Sequence, residues 1–133
     1  VLSIVVVGFL GIALKVYNEK VYVDEIICIT GGYEEAVDKE YDGVISFSFS
    51  KQKEVVIKCQ VKPDNADITT LRYDIDDSKI GTSCELIENG DGTCTIKFLK
   101  ADTVYLTIVP TDRSSNISLT IKIQCKKGIA DII

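Results

Sequence analysis

ISLTIKIQC, residues 117–125, decides the fold because apolar and polar side chains alternate along it without a break. Successive side chains of a β-strand point to opposite faces of its sheet, so Ile117, Leu119, Ile121, Ile123 and Cys125 share one face. The same alternation recurs in other segments, with turn residues between them. The pattern predicts an antiparallel β-domain in which each sheet buries one face.

Composition narrows the classes of function. The 133 residues fit one domain with a short appendage, and the net charge is −5. This acidity argues against a nucleic-acid partner, which would require clustered Lys and Arg. Histidine is absent, which removes the commonest general base and metal ligand, and no phosphate loop or serine-nucleophile motif is found. We therefore expect a protein that is not an enzyme and uses no metal or cofactor.

The predicted strands follow one another closely along the chain. The strongest hairpin signal is Asn89-Gly90-Asp91-Gly92, a turn sequence between two alternating segments. Short strands at this spacing predict a β-sandwich. The candidate strands are 20–30, 44–50, 54–62, 71–75, 84–88, 93–99, 104–109 and 117–124.

The stretch 55–125 resembles the bacterial Ig-like domain, group 2, the intimin/invasin-type repeat of surface proteins. Tyr73 stands where that family usually has Trp, and Ala101-Asp102-Thr103 stands where Ala-Gly-Thr is usual. The resemblance implies an all-β, Ig-like antiparallel sandwich over residues 20–125, with 31–43 as an insertion, at the cell surface. It is carried by VVIKCQVKP (55–63), YDIDDSKIGT (73–82), ENGDGTCTIKFLKADTVYLTIV (88–109) and ISLTIKIQC (117–125).

The two ends of the chain differ from this domain. Residues 1–14, VLSIVVVGFLGIAL, carry no charge. As a helix they would span roughly 21 Å, less than the roughly 30 Å of a bilayer core, and their β-branched residues equally favour a strand donated to a neighbour. We interpret 1–19 as a hydrophobic anchor or assembly segment and 126–133 as a C-terminal tail. The side chains expected in assembly contacts are Val1, Leu2, Ile4, Val5, Val6, Val7, Phe9, Leu10, Ile12 and Leu14.

Five widely spaced cysteines, none in a C-x-x-C pair, favour disulfides in an oxidising compartment. Buried thiols are the alternative. Cys84 and Cys94 flank the hairpin turn, which suggests one bridge. The Ig-like resemblance suggests Cys59 with Cys125 or Cys28 with Cys125 as another, and the connectivity stays open.

A glycosylation sequon and two acidic clusters each have a possible function and also an ordinary structural explanation. Asn116-Ile117-Ser118 is a glycosylation sequon at a loop–strand junction, and such triplets also arise by chance. Two acidic clusters could offer oxygen ligands to calcium, but Asp and Asn are also the usual turn formers, which we favour. The clusters are Asp74, Asp76 and Asp77, and Glu88, Asn89 and Asp91.

These features together predict a structural subunit of an extracellular filament or surface assembly. Copies of the chain would join through residues 1–14 and present the sandwich outward, because an exposed apolar segment is a liability in a monomer and a linkage in a polymer. The alternatives are a membrane-anchored adhesin with a single Ig-like domain and a decorating domain of a viral particle. The surface ligand is not predicted.

Overall fold

The computed structural model describes residues 20–37, 40–113 and 116–127, and within them the chain is all β. The strands are β1 (Glu25–Cys28), β2 (Glu34–Glu35), β3 (Gly43–Ser48), β4 (Glu54–Ile57), β5 (Cys59–Lys62), β6 (Leu71–Ile75), β7 (Cys84–Glu88), β8 (Cys94–Phe98), β9 (Asp102–Pro110) and β10 (Leu119–Lys126).

The strands form a five-stranded sheet of order β2-β3-β10-β9-β6, a three-stranded sheet of order β4-β8-β7 and a two-stranded sheet of β1 with β5. The apolar faces meet in one core. Phe47 of the five-stranded sheet packs against Phe98 of the three-stranded sheet, with ring centroids 5.5 Å apart and the rings edge to face. The arrangement is consistent with a β-sandwich, as the sequence predicted.

The alternation in β10 works as expected. Leu119, Ile121, Ile123 and Cys125 are buried, and the residues between them are less so. Ile117 is half-buried and precedes the strand. Burial of a Leu or Ile side chain stabilises the fold by about 1.5–3 kcal/mol, so this strand is a main contributor to the core.

The hairpin of β7 and β8 is confirmed. Its register pairs Cys84 with Phe98 and Glu88 with Cys94, and the turn between the strands holds Gly90 and Gly92 at φ values of 80° and 89°. L-residues rarely adopt these angles, which explains the two glycines in the turn.

One pair of strands departs from the antiparallel expectation. β3 lies parallel to β10, with Ile45 opposite Ile123, while β10 pairs antiparallel with β9 on its other side. The chain leaves β1 in the two-stranded sheet and enters the five-stranded sheet as the edge strand β2, which pairs antiparallel with β3. β3 then runs beside β10 in the same direction.

The single strand predicted over 54–62 is also divided. Its first half, β4, pairs with β8 as far as Ile57, and its second half, β5, pairs with β1 from Cys59 onward. The continuous alternation in the sequence is therefore divided between two sheets. The segment 31–43, predicted as an insertion, contains β2, whose two glutamates are exposed. Residues 1–19 and 128–133 lie outside the described residues. The first of these ranges contains the ten predicted assembly residues, together with the helix-or-strand alternatives for 1–14.

Candidate functional site

The first described residues are held to the sandwich by two aspartates. The backbone N–H of Val21 donates to Asp67 Oδ2 at 2.7 Å, and the Asp67 N–H donates back to the Val21 carbonyl at 3.0 Å. The N–H of Val23 donates to Asp112 Oδ2 at 2.7 Å, and the Val23 side chain is buried in the core. We call Val21, Val23, Asp67 and Asp112 the N-terminal clamp.

Asp112 is the unusual member of the clamp because it is only 5% exposed. A buried carboxylate is costly unless its oxygens accept hydrogen bonds, and bonds from N–H groups to a charged acceptor are among the stronger ones. The Asp112 loop is tied to the loop before β6, since the Thr111 N–H donates to the Thr70 carbonyl at 3.1 Å and the two threonine hydroxyls bond each other. The clamp therefore rests on two loops that support each other.

The chain joins the sandwich at one end and leaves β10 at the other. At the first end, which we call the N-terminal pole, Glu25 at the start of β1 lies opposite Lys62 at the end of β5. At the opposite end, the C-terminal pole, Lys126 pairs with Ser48, and its carbonyl accepts from the Phe49 N–H at 2.8 Å. Segments attached before β1 and after β10 would therefore project from opposite poles.

The outer face of the three-stranded sheet carries ordered rows of side chains. Glu54, Lys97 and Glu85 lie side by side across β4, β8 and β7, an alternation of charge that favours the pairing. The next row includes Val56 and Ile87, which are 51% and 46% exposed. This face is solvated, and its short apolar row is an ordinary surface feature.

A serine, a lysine and an aspartate meet beside the C-terminal pole. The Ser83 hydroxyl and Lys79 Nζ, the latter at 3.0 Å, both donate to Asp102 Oδ2. The Ser83 hydrogen bond, with a further contribution from Lys79, lowers the pKa of Asp102 to about 2. A carboxylate with so low a pKa is too weak a base to activate the serine near neutral pH, so this cluster is suited to joining β9 to the loop before β7.

The two acidic clusters considered for calcium lie at opposite poles. Asp76 accepts from the Ser78 N–H at 2.9 Å, and Asp91 accepts from the Thr93 N–H at 3.0 Å, so each closes its own turn. Asp74 forms an exposed ion pair with Arg72 at 2.9 Å. Among the described residues, no group of three or more His, Cys, Asp or Glu is placed to hold a metal ion.

Two of the suggested bridges, Cys84–Cys94 and Cys28–Cys125, do not match the positions of the cysteines. Cys84 lies opposite Phe98, and Cys94 lies opposite Glu88 at the other end of the hairpin, so the structure does not bring these two together. Cys125 lies in the five-stranded sheet opposite Phe47, so its neighbour there is β3, where the Cys28–Cys125 suggestion required β1. The structure instead sets Cys28 directly opposite Cys59.

Asn116 is exposed in the loop before β10, at the N-terminal pole. The N-terminal clamp was not found from the sequence, because its partners are separated by 46 positions (Val21 and Asp67) and 89 positions (Val23 and Asp112), and such separations leave no local pattern. Within the described part of the chain, no helix is both long and apolar enough to span a bilayer.

Comparison with known proteins adds no family. No protein-family model matches the chain, and no curated protein matches it.

Proposed function

We propose that this chain is a structural subunit of an extracellular filament or surface assembly, which joins to its copies through residues 1–14 and presents an Ig-like sandwich outward. The observation that carries the proposal is the N-terminal clamp. It holds Val21 and Val23, which follow the uncharged apolar segment in the sequence, at the pole opposite the end of β10. A fixed attachment at one pole suits a subunit that links end to end.

The strand pairing supports the Ig-like assignment. An Ig constant-type sandwich has one sheet of order A-B-E-D and one of order C-F-G. Here β1 with β5, followed by β4-β8-β7, corresponds to the first sheet, and β6-β9-β10 corresponds to the second. Tyr73, at the position where the resembling family usually has Trp, is buried, and its hydroxyl donates to the Gly92 carbonyl at 2.6 Å. This bond joins the two sheets at the N-terminal pole.

The packing of the sandwich supports a separate role for the apolar segment. The described residues already form a core in which several side chains, among them Ile57, Ile96 and Leu106, are fully buried. In the proposal, residues 1–14 contact other molecules, because burial of apolar surface is what drives association in water. An extracellular location follows in the proposal from the resemblance to surface proteins and from the number of cysteines.

Electron microscopy and sedimentation of two proteins test the proposal. We expect the full chain to form filaments or large assemblies in detergent-free buffer, and a protein that starts at Lys20 to remain monomeric and folded. The truncated protein keeps the N-terminal clamp, so its folding is not at risk from loss of those hydrogen bonds.

Two single substitutions sharpen this test. Val6→Glu places a charge in the middle of the apolar segment and should abolish assembly, whereas Ile87→Thr removes an exposed apolar side chain from the sandwich and should leave assembly intact. A full chain that stays monomeric without detergent would overturn the proposal.

A membrane-anchored adhesin is the second candidate, because the same uncharged segment is followed by Lys15, which could reach the lipid headgroups. Mixing the full chain with lipid vesicles separates the two. Flotation of single subunits with the vesicles, without filaments in their absence, would favour the adhesin.

A further inference from the structure

Cys28 of β1 and Cys59 of β5 occupy a cross-strand position that suits a covalent link. The Ile29 N–H donates to the Lys58 carbonyl at 2.9 Å, which makes Ile29 and Lys58 the hydrogen-bonded pair next to the cysteines. Hydrogen-bonded and non-hydrogen-bonded pairs alternate, so Cys28 and Cys59 form a non-hydrogen-bonded pair, with Cα atoms about 4.5 Å apart. Disulfides accept Cα separations of about 4.4–6.8 Å.

The two cysteines lie opposite each other across the strand pair, and Cys59 is partly open to solvent. The neighbouring Cys59 thiol lowers the pKa of Cys28 to about 6, and the Cys28 thiol, together with burial, raises the pKa of Cys59. The pair therefore loses one proton easily and the second with difficulty. Cys28 is buried, while Cys59 is half-buried and borders an open depression of about 350 Å³.

The hairpin cysteines lack this combination. Cys84 and Cys94 are fully buried and lie at opposite ends of β7 and β8. Burial raises the pKa of Cys94 to about 12 and also raises that of Cys84. A buried thiol of high pKa reacts slowly with oxidants, because the thiolate is the nucleophile.

We infer that Cys28 and Cys59 form an intramolecular disulfide that fastens β1 to β5 when the protein meets a small disulfide oxidant. In the first step, the thiolate of the pair attacks one sulfur of the oxidant RSSR, which forms a mixed disulfide and releases RS⁻. The second cysteine then loses its proton to solvent and attacks the protein sulfur of the mixed disulfide, which releases the second RS⁻. Overall, two protein thiols are oxidised and RSSR is reduced to two RSH.

The bridge would act where the structure has its smallest sheet. β1 pairs only with β5 among the described strands, and the N-terminal clamp lies just before β1. Closing the loop from Cys28 to Cys59 restricts the unfolded chain and should raise the melting midpoint by about 5–15 °C. The inference does not rest on the proposed function, since it depends only on the cysteine pair.

Mapping after oxidation tests the inference. The full chain is equilibrated with oxidised glutathione near pH 8, remaining thiols are alkylated, and the protein is digested with trypsin without reductant. Cleavage after Lys20, Lys39, Lys58 and Arg72 gives peptides 21–39 and 59–72, which carry Cys28 and Cys59 alone, whereas Cys84 and Cys94 share peptide 80–97. We expect a 21–39/59–72 linked pair, and a fall from five titratable thiols to three in the denatured protein.

Single substitutions provide the controls. Cys28→Ser and Cys59→Ser should each lose the linked pair and the rise in melting midpoint, and retain at most a glutathione adduct. Cys94→Ala should still give the linked pair. If that variant does not fold, the peptide map of the unaltered chain still tests the inference, because the 21–39/59–72 pair is distinct from a bridge within peptide 80–97. Five thiols after equilibration, or a bridge confined to peptide 80–97, would overturn the inference.

Discussion

Gly43 is the residue whose replacement the structure resists most clearly. It is buried at the start of β3, and a Cβ built on it would overlap the ring of Tyr33. Tyr33 itself packs against the core and lies near Cys28. The glycine is therefore required for the close approach of the Tyr33 ring, since its φ is not in the left-handed region.

Gly43→Ala should lower the free energy of unfolding by about 1–3 kcal/mol, because the Tyr33 ring must move out of a packed position. Urea denaturation measures the loss. Gly31→Ala is the matched control, since a Cβ there meets nothing within 4 Å, and it should change stability little. Equal effects of the two substitutions would contradict the packing argument.

Asp102 gives the fold a specific dependence on acid. Its pKa is lowered to about 2 in the folded protein, from the 3.8 of an unperturbed aspartate. The stabilisation is therefore complete above about pH 4 and disappears as the pH falls through about 2. Through Asp102, the unaltered protein should lose about 1–2 kcal/mol of its free energy of unfolding in this pH range. Asp102→Asn should not show this loss.

The pH dependence of urea denaturation between pH 5 and 2 checks this expectation. Asp64→Asn removes the same charge from an exposed side chain and serves as the control. If Asp102→Asn keeps the full acid dependence of the unaltered chain, the Ser83–Lys79–Asp102 cluster is not its source.

At the scale of elements, the break between β4 and β5 is stabilised by the side chain of Thr30, which follows β1. The Lys58 N–H, at the break, donates to Thr30 Oγ1 at 2.8 Å. A threonine hydroxyl thus substitutes for a sheet partner where the chain passes from one sheet to the next, and the backbone donor is satisfied.

Thr30→Val keeps the shape of the side chain but removes this acceptor, and should cost about 1 kcal/mol. Hydrogen exchange provides the sharper readout, because the Lys58 amide should lose protection while amides of β10 keep theirs. Thr69→Val, in the exposed loop before β6, is the control. Unchanged protection at Lys58 would show that Thr30 is not its acceptor in solution.

At the scale of the whole molecule, the poles connect the fold to the proposed function. The N-terminal clamp holds Val21 and Val23 at one pole, and β10 ends at the other. The proposed Cys28–Cys59 bridge would strengthen β1, the first described strand after the N-terminal clamp. In a filament, force applied to that segment would reach β1 first, so a covalent link to β5 would resist its detachment.

Much of the strand content could be predicted from local pattern. Segments 71–75 and 84–88 match β6 and β7 residue for residue, because alternation and turn glycines act within a few neighbours. The break at Lys58 was missed because both halves of 54–62 alternate in the same way. The parallel neighbour of β10 was missed because strand order depends on how the chain crosses between sheets.

The sequence by itself determined the class of the fold, the buried face of β10 and the β7–β8 hairpin. Side-chain periodicity and turn chemistry are local properties, so they can be read without knowing the partners. Only the tertiary structure decided which residues lie together across long separations, as Val23 does with Asp112 and Cys28 with Cys59. These contacts follow from strand register and loop packing, which the whole chain settles together.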